Sequence, residues 1–287
     1  MPLLLLGLAA ALASSTLYNV GVALQAFEAR QTHGDDSLHP SLIAKLAQRP
    51  FWLAGMACVI VGWVLQGASL LVAPLTIVQP TLAAGLVVLL LVGARFLDEP
   101  VGRREALAVL AVVVGVAGLT LAGPRGGSQP VSQALLVLAL IVFAVIALAP
   151  YVMTWVRGHS ALVVVSAGLS YAWCGLSTNL AADALSRGEL AVVGLWVVST
   201  AIAGGLGLVS EMTALQTRPA IRVFPIVLVV QIVVAVVLAP ALAGESWSAT
   251  PLHGLPLLIS LAVVATGTAM LASAPAVSAV LAGGRRD

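Results

Sequence analysis

Residues 204–225 read GGLGLVSEMTALQTRPAIRVFP, and the fold turns on this stretch. Glu211 is the only carboxylate deep inside an apolar run, and two prolines, Pro219 and Pro225, close the stretch. The same pair recurs as Pro74 and Pro80 in residues 65–80, LQGASLLVAPLTIVQP. A shift of 145 residues lays Pro74 on Pro219, Pro80 on Pro225, Leu70 on Leu215 and Gln66 on Glu211, with Trp52 falling near Trp196. One register further, Glu99 of FLDEP meets Glu245 of LAGES. The chain thus reads as duplicated, with a polar residue at equal depth in each copy. In an apolar helical chain, that pattern is the one expected of solute carriers.

Composition sets the class. Of 287 residues, 61% are hydrophobic and 8% charged, against roughly 25% charged in a soluble domain. A chain this apolar faces lipid, where every backbone N–H and C=O must be paired internally, which leaves helices or closed barrels. Continuous runs of Leu, Val and Ala, without strand-like alternation, select helices. The net charge of +2 is scattered over short loops, so no nucleic-acid partner is expected. Cys58 and Cys174 lie in apolar runs without metal-ligand spacing and read as small buried hydrophobes.

The expected fold is therefore all-α, a polytopic membrane protein of nine spans: about 3–24, 51–72, 77–97, 104–122, 133–155, 160–183, 191–215, 220–243 and 253–275. The opening apolar run lacks a basic leader and continues to Leu24, so it reads as a retained helix rather than a secretion signal. Residues 25–50 form a mixed-charge loop, expected to be solvated. Of the thirteen Lys and Arg, only Arg125 and Arg187 lie on the side opposite the C-terminus. That bias puts the N-terminus outside and the C-terminus in the cytoplasm of the cell's inner membrane. Spans 1–4 and 6–9 match across an odd number of spans, which makes an inverted repeat around an unpaired fifth helix. The implied division is 1–122, 123–155 and 156–287.

Candidate site residues follow from polarity at depth. Glu211 is a candidate proton carrier or cation ligand, because a charge at bilayer depth is costly and normally faces a cavity; the alternative is a structural pair with Arg218 or Arg222. Gln66 is its neutral repeat mate, with Ser69 on the same face. Thr213 and Gln216 add polar atoms near Glu211. Tyr18 and Asn19, with Ser14 and Ser15 a turn earlier, form a polar face related to Ser177, Thr178 and Asn179. Pro74, Pro80, Pro219 and Pro225 are candidate hinges or helix breaks, each lacking an N–H. Glu99 and Glu245 read as interfacial caps or salt-bridge partners, with Arg103 one turn from Glu99. Gly55, Gly62, Gly204, Gly205 and Gly207 read as close helix contacts. The four histidines, His33, His39, His159 and His253, fall in loops, and no nucleophile, metal or phosphate motif is present. Neither an enzymatic activity nor a cofactor is expected. Expected partners are a small solute or cation and the lipid bilayer, with a homodimer left open.

At these residues the chain resembles the drug/metabolite transporter superfamily, EamA-like, and within it the NIPA-like branch associated with magnesium transport. Residues 7–25, GLAAALASSTLYNVGVALQ, resemble that branch's opening helix. Residues 73–119, APLTIVQPTLAAGLVVLLLVGARFLDEPVGRREALAVLAVVVGVAGL, are similar to the superfamily's proline pair, short Glu-containing loop and Gly-rich helix. Residues 214–226, ALQTRPAIRVFPI, resemble the matching stretch of the second half. The resemblance implies an alternating-access transporter of magnesium or another divalent cation, with Glu211 as the metal ligand. It departs before the first Ala-Pro, where the branch carries an acid and an Asn and this chain has Gln66 and Ser69. Export of a small organic metabolite is the alternative, and a non-transporting scaffold or partner subunit the second.

Overall fold

The computed structural model describes residues 2–32, 36–73, 75–99, 101–122, 133–153, 161–242 and 254–272. Among them the chain forms ten helices and no strand: α1 (Pro2–Ala29), α2 (Pro40–Leu46), α3 (Pro50–Val72), α4 (Leu75–Phe96), α5 (Arg103–Ala122), α6 (Gln133–Val152), α7 (Ala161–Ser186), α8 (Leu190–Thr217), α9 (Ala220–Leu242) and α10 (Leu255–Ala272). Within α1, α3, α5, α6, α7 and α8 lie six segments long and apolar enough to cross a membrane. Thr81–Phe96, Ala220–Val234 and Leu255–Leu271 are shorter apolar helical stretches. This is a multi-pass membrane architecture, with Leu91, Val145, Leu195 and Val198 among the apolar side chains on its outer surface.

Local chemistry explains the helix ends. Pro40 and Pro50 sit in the first turns of α2 and α3, where the missing N–H costs nothing. The α7–α8 turn uses Gly188 at φ 75, and the Glu189 N–H returns to the Ala184 carbonyl at 3.0 Å. Hydroxyls inside apolar helices donate to the carbonyl four residues back, as Thr16 does to Leu12 and Thr120 to Val116.

The proline expectation needs correction. Pro219 does precede a helix, and its carbonyl accepts the N–H groups of Arg222 and Val223, starting α9. Pro80 and Pro225 break nothing: α4 and α9 run straight through them. Each lies near its helix start and removes one donor, while the rest of the backbone ladder continues. Pro74, like Glu245, His33 and Asp35, lies outside the described residues.

Small residues set the packing. A Cβ on Gly21 would lie 2.6 Å from the Gly55 carbonyl oxygen, and one on Gly55 would lie 2.7 Å from that of Gly21. The α1 and α3 backbones therefore touch. Gly205, read above as such a contact, has nothing within 4 Å of its Cβ position, because it faces out. Helix α1 packs on α3 and α4, α7 on α8 and α9, α4 on α5, α9 on α10, and α5 on α10. Helix α6 lies against α7, α8 and α9.

In the connection expected to be solvated, the basic side chains of Lys45 and Arg49 do reach solvent, but their acidic partners are buried. Glu28 is buried beside Arg49 at 3.3 Å, and buried Asp36 holds Lys45 at 2.6 Å. Around it, Arg30 meets Glu99, and Arg222 meets Glu105 at 3.3 Å. These pairs form a polar layer at one end of the bundle, where α1, α4 and α8 finish and α3, α5 and α9 begin.

Candidate functional site

Away from that layer, a cavity of about 320 Å³ opens among α1, α3, α4, α5, α7 and α9. From α1 it takes Ser14, Ser15, Tyr18 and Asn19, from α3 Trp63 and Gln66, from α7 Tyr171, and from α9 Phe224 and Gln231. Leu82, Ala83 and Leu86 of α4, Val116 of α5, and Val227, Leu228 and Ile232 of α9 complete the wall.

The polar atoms of α1 are held in place by the packing around them. Ser14 Oγ donates to the Gly62 carbonyl at 2.6 Å, and Ser15 Oγ to that of Leu82 at 2.9 Å. Asn19 Nδ2 donates to the Ser15 carbonyl at 2.8 Å. Asn19 Oδ1 is buried with no hydrogen-bond partner. An unmet buried acceptor costs about 1–3 kcal/mol, so Asn19, a residue of the cavity wall, keeps one acceptor unused. The Tyr18 and Phe224 rings lie 5.6 Å apart, adding π-faces beside that acceptor.

Glu211 stands one step behind the cavity wall. It is 5% exposed, and Tyr171 Oη donates to its Oε2 at 2.6 Å. Gly207, one turn before Glu211 on α8, makes this possible: a Cβ there would lie 2.9 Å from the Tyr171 ring. The expected structural alternative for Glu211 does not form with Arg222, whose guanidinium turns to Glu105. The carboxylate therefore communicates with the cavity through a phenol.

Other candidates go elsewhere, and these are corrections. Thr213 Oγ1 accepts the Leu38 N–H at 2.9 Å, and Gln216 accepts from Ser37 at 2.9 Å while donating to Thr32 at 2.8 Å. Both residues face the α1–α3 loop, because their positions on α8 point away from the cavity. Ser69 is fully buried and donates to the Gln66 carbonyl of its own helix at 2.8 Å, outside the cavity wall. Asn179 is exposed on α7 and does not line it. Glu99 is a salt-bridge partner as expected, but of Arg30 rather than Arg103.

Replacing Thr213 by Val is therefore expected to cost about 1–3 kcal/mol of stability, the penalty of an orphaned buried N–H at Leu38. It should leave solute affinity unchanged. Thermal melting read beside a solute-binding titration checks both halves of that statement.

Sequence reasoning missed Tyr171, Trp63, Phe224 and Gln231, while Gly207, read as a close helix contact, is one. Tyrosine offered a signal: the chain has three, Tyr18, Tyr151 and Tyr171, all within helices. Tyr151 Oη also finds partners, donating to the Leu206 carbonyl at 3.1 Å and meeting Ser210 Oγ at 3.0 Å. Among the described residues no group of three or more His, Cys, Asp or Glu is placed to hold a metal ion. Comparison with protein-family models, with curated proteins and with solved structures finds no match to the chain.

Proposed function

We propose that the protein is a secondary transporter of a small organic solute that carries hydrogen-bond donors and a positive charge, working by alternating access. The observation that carries this reading is the cavity, lined by Asn19 with its unmet carboxamide oxygen, by aromatic rings, and by Tyr171, the phenol that binds Glu211. A buried acid, an acceptor and π-faces together suit an ammonium group. Membership of the drug/metabolite transporter superfamily, EamA-like, is part of the proposal, as is a nine-span inverted repeat with the N-terminus outside and the C-terminus in the cytoplasm. Repeated packing supports the repeat: α1 meets α3 and α4 as α7 meets α8 and α9, and α4 meets α5 as α9 meets α10. The lysine and arginine distribution supports the orientation.

Magnesium is the second reading, favoured by Glu211 as a carboxylate at depth. The cavity wall argues against it, since magnesium is typically bound through one or two carboxylates, whereas the lining residues include none and Glu211 stands behind them. Purified protein in proteoliposomes, tested for exchange of radiolabelled small amines and for Mg²⁺ flux by an entrapped dye, separates the two. Amine exchange without Mg²⁺ flux is the expected result. Mg²⁺ flux alone would transfer the chain to the divalent-cation reading, and neither activity would leave a scaffold.

A further inference from the structure

The FLDEP turn after α4 reaches across to the other half of the molecule. Asp98 adopts φ 49, a left-handed conformation that short polar side chains tolerate. The chain then folds back, so that the Leu97 and Glu99 N–H groups both return to the Gly93 carbonyl, at 3.2 and 3.0 Å. This reversal aims the buried Glu99 carboxylate at the start of α9. Its Oε1 accepts the Ala220 N–H at 2.6 Å, and its Oε2 the Ile221 N–H at 3.0 Å. Arg30, at the end of α1, completes the arrangement by donating to Glu99 and to the Leu97 carbonyl, the latter at 3.3 Å.

We infer that Glu99 is a latch: a carboxylate from the first half caps the N-terminus of α9 in the second and holds this end of the molecule shut. The first N–H groups of a helix have no partner in their own helix and carry the positive end of its dipole, so an anion is the natural cap. Hydrogen bonds to an ionised acceptor are the strong kind, and this carboxylate takes them from two backbone donors and a guanidinium. The cap comes from a different half of the molecule, so it breaks if the halves part at this end. Further polar links between the halves, among the described residues, lie at the same end: Leu38 to Thr213, Ser37 and Thr32 to Gln216, and Arg222 to Glu105.

The latch rests on the alternating-access reading, in which the closed end must open during each cycle. Opening there requires Glu99 to leave the Ala220 and Ile221 N–H groups. Gly93 lies under the contact: a Cβ would sit 2.7 Å from Ile221 Cγ2 and 2.9 Å from Glu99 Oε2. A methyl at this position should therefore wedge the latch.

The test uses the full chain in sealed vesicles with Cys58 and Cys174 replaced by Ala and a reporter, Ala83→Cys, in the cavity wall. A membrane-impermeant maleimide is applied from the latch side. Adding Glu99→Ala is expected to raise the labelling rate from that side by about tenfold or more as the equilibrium shifts toward the open state. Gly93→Ala and Arg30→Gln should each raise it in the same direction, and they serve where Glu99→Ala does not fold. Unchanged labelling in folded variants would overturn the latch. Labelling needs no solute, so raised labelling in a protein that moves no solute would keep the latch and sink the transport reading alone.

Discussion

Replacing Glu211 by Gln is expected to slow solute exchange by about tenfold to a hundredfold, the equivalent of losing one charged hydrogen-bond partner worth about 1.5–3 kcal/mol. Folding should survive, because the Gln carbonyl oxygen can still accept from Tyr171 Oη, the bond that Glu211 makes now at 2.6 Å. What disappears is the negative charge behind the cavity wall. Tyr171→Phe should show a smaller loss in the same direction, since it keeps the ring that packs on Gly207 and removes only the phenol linking carboxylate to cavity. The measurement is counterflow in proteoliposomes beside thermal melting of the same preparations. Exchange at the parent rate in a folded Glu211→Gln protein would take the carboxylate out of the mechanism.

The second large effect concerns assembly. A leucine at Gly21 should abolish recovery of folded protein, because its first carbon would already lie 2.6 Å from the Gly55 carbonyl oxygen and 2.9 Å from Val59 Cγ2. Overpacking a fitted core costs about 1–3 kcal/mol when side chains can yield, and here one neighbour is backbone, which yields less. Gly67 supplies the control from α3: nothing lies within 4 Å of its Cβ position, and it is exposed. Gly67→Leu should therefore purify and melt like the parent. Monodispersity in detergent and melting temperature distinguish the two variants, and similar behaviour at both positions would refute the close-packing account.

The two glycines show where sequence reading stops. Both occur in the same apolar helix pair and look alike as letters; only the packing of α1 against α3 makes one a contact and leaves the other on the surface. Thr213 and Gln216 show the same limit. Their nearness to Glu211 along α8 suggested one shared site, but an α-helix turns 100° per residue, so Thr213 faces the α1–α3 loop while Glu211 faces Tyr171. In a membrane helix a stripe of polar residues announces which side looks into the bundle. Helices α7 and α8 are apolar nearly all round, so their sequence carries little record of their rotation.

What the residues determined alone is the helical membrane architecture. Runs of Leu, Val and Ala this long can enter lipid only with each backbone group paired inside its own helix, and that requirement acts locally. The polar face of α1, with Tyr18 and Asn19, and the buried position of Glu211 were legible for the same reason: polarity in an apolar run is visible without knowing the neighbours. The tertiary structure alone decided the partners. Tyr171 reaches Glu211 across forty residues, and Glu99 reaches Ala220 across 121. Such pairings depend on how one helix is turned and set against another, which is fixed by the summed packing of many small side chains rather than by any local pattern.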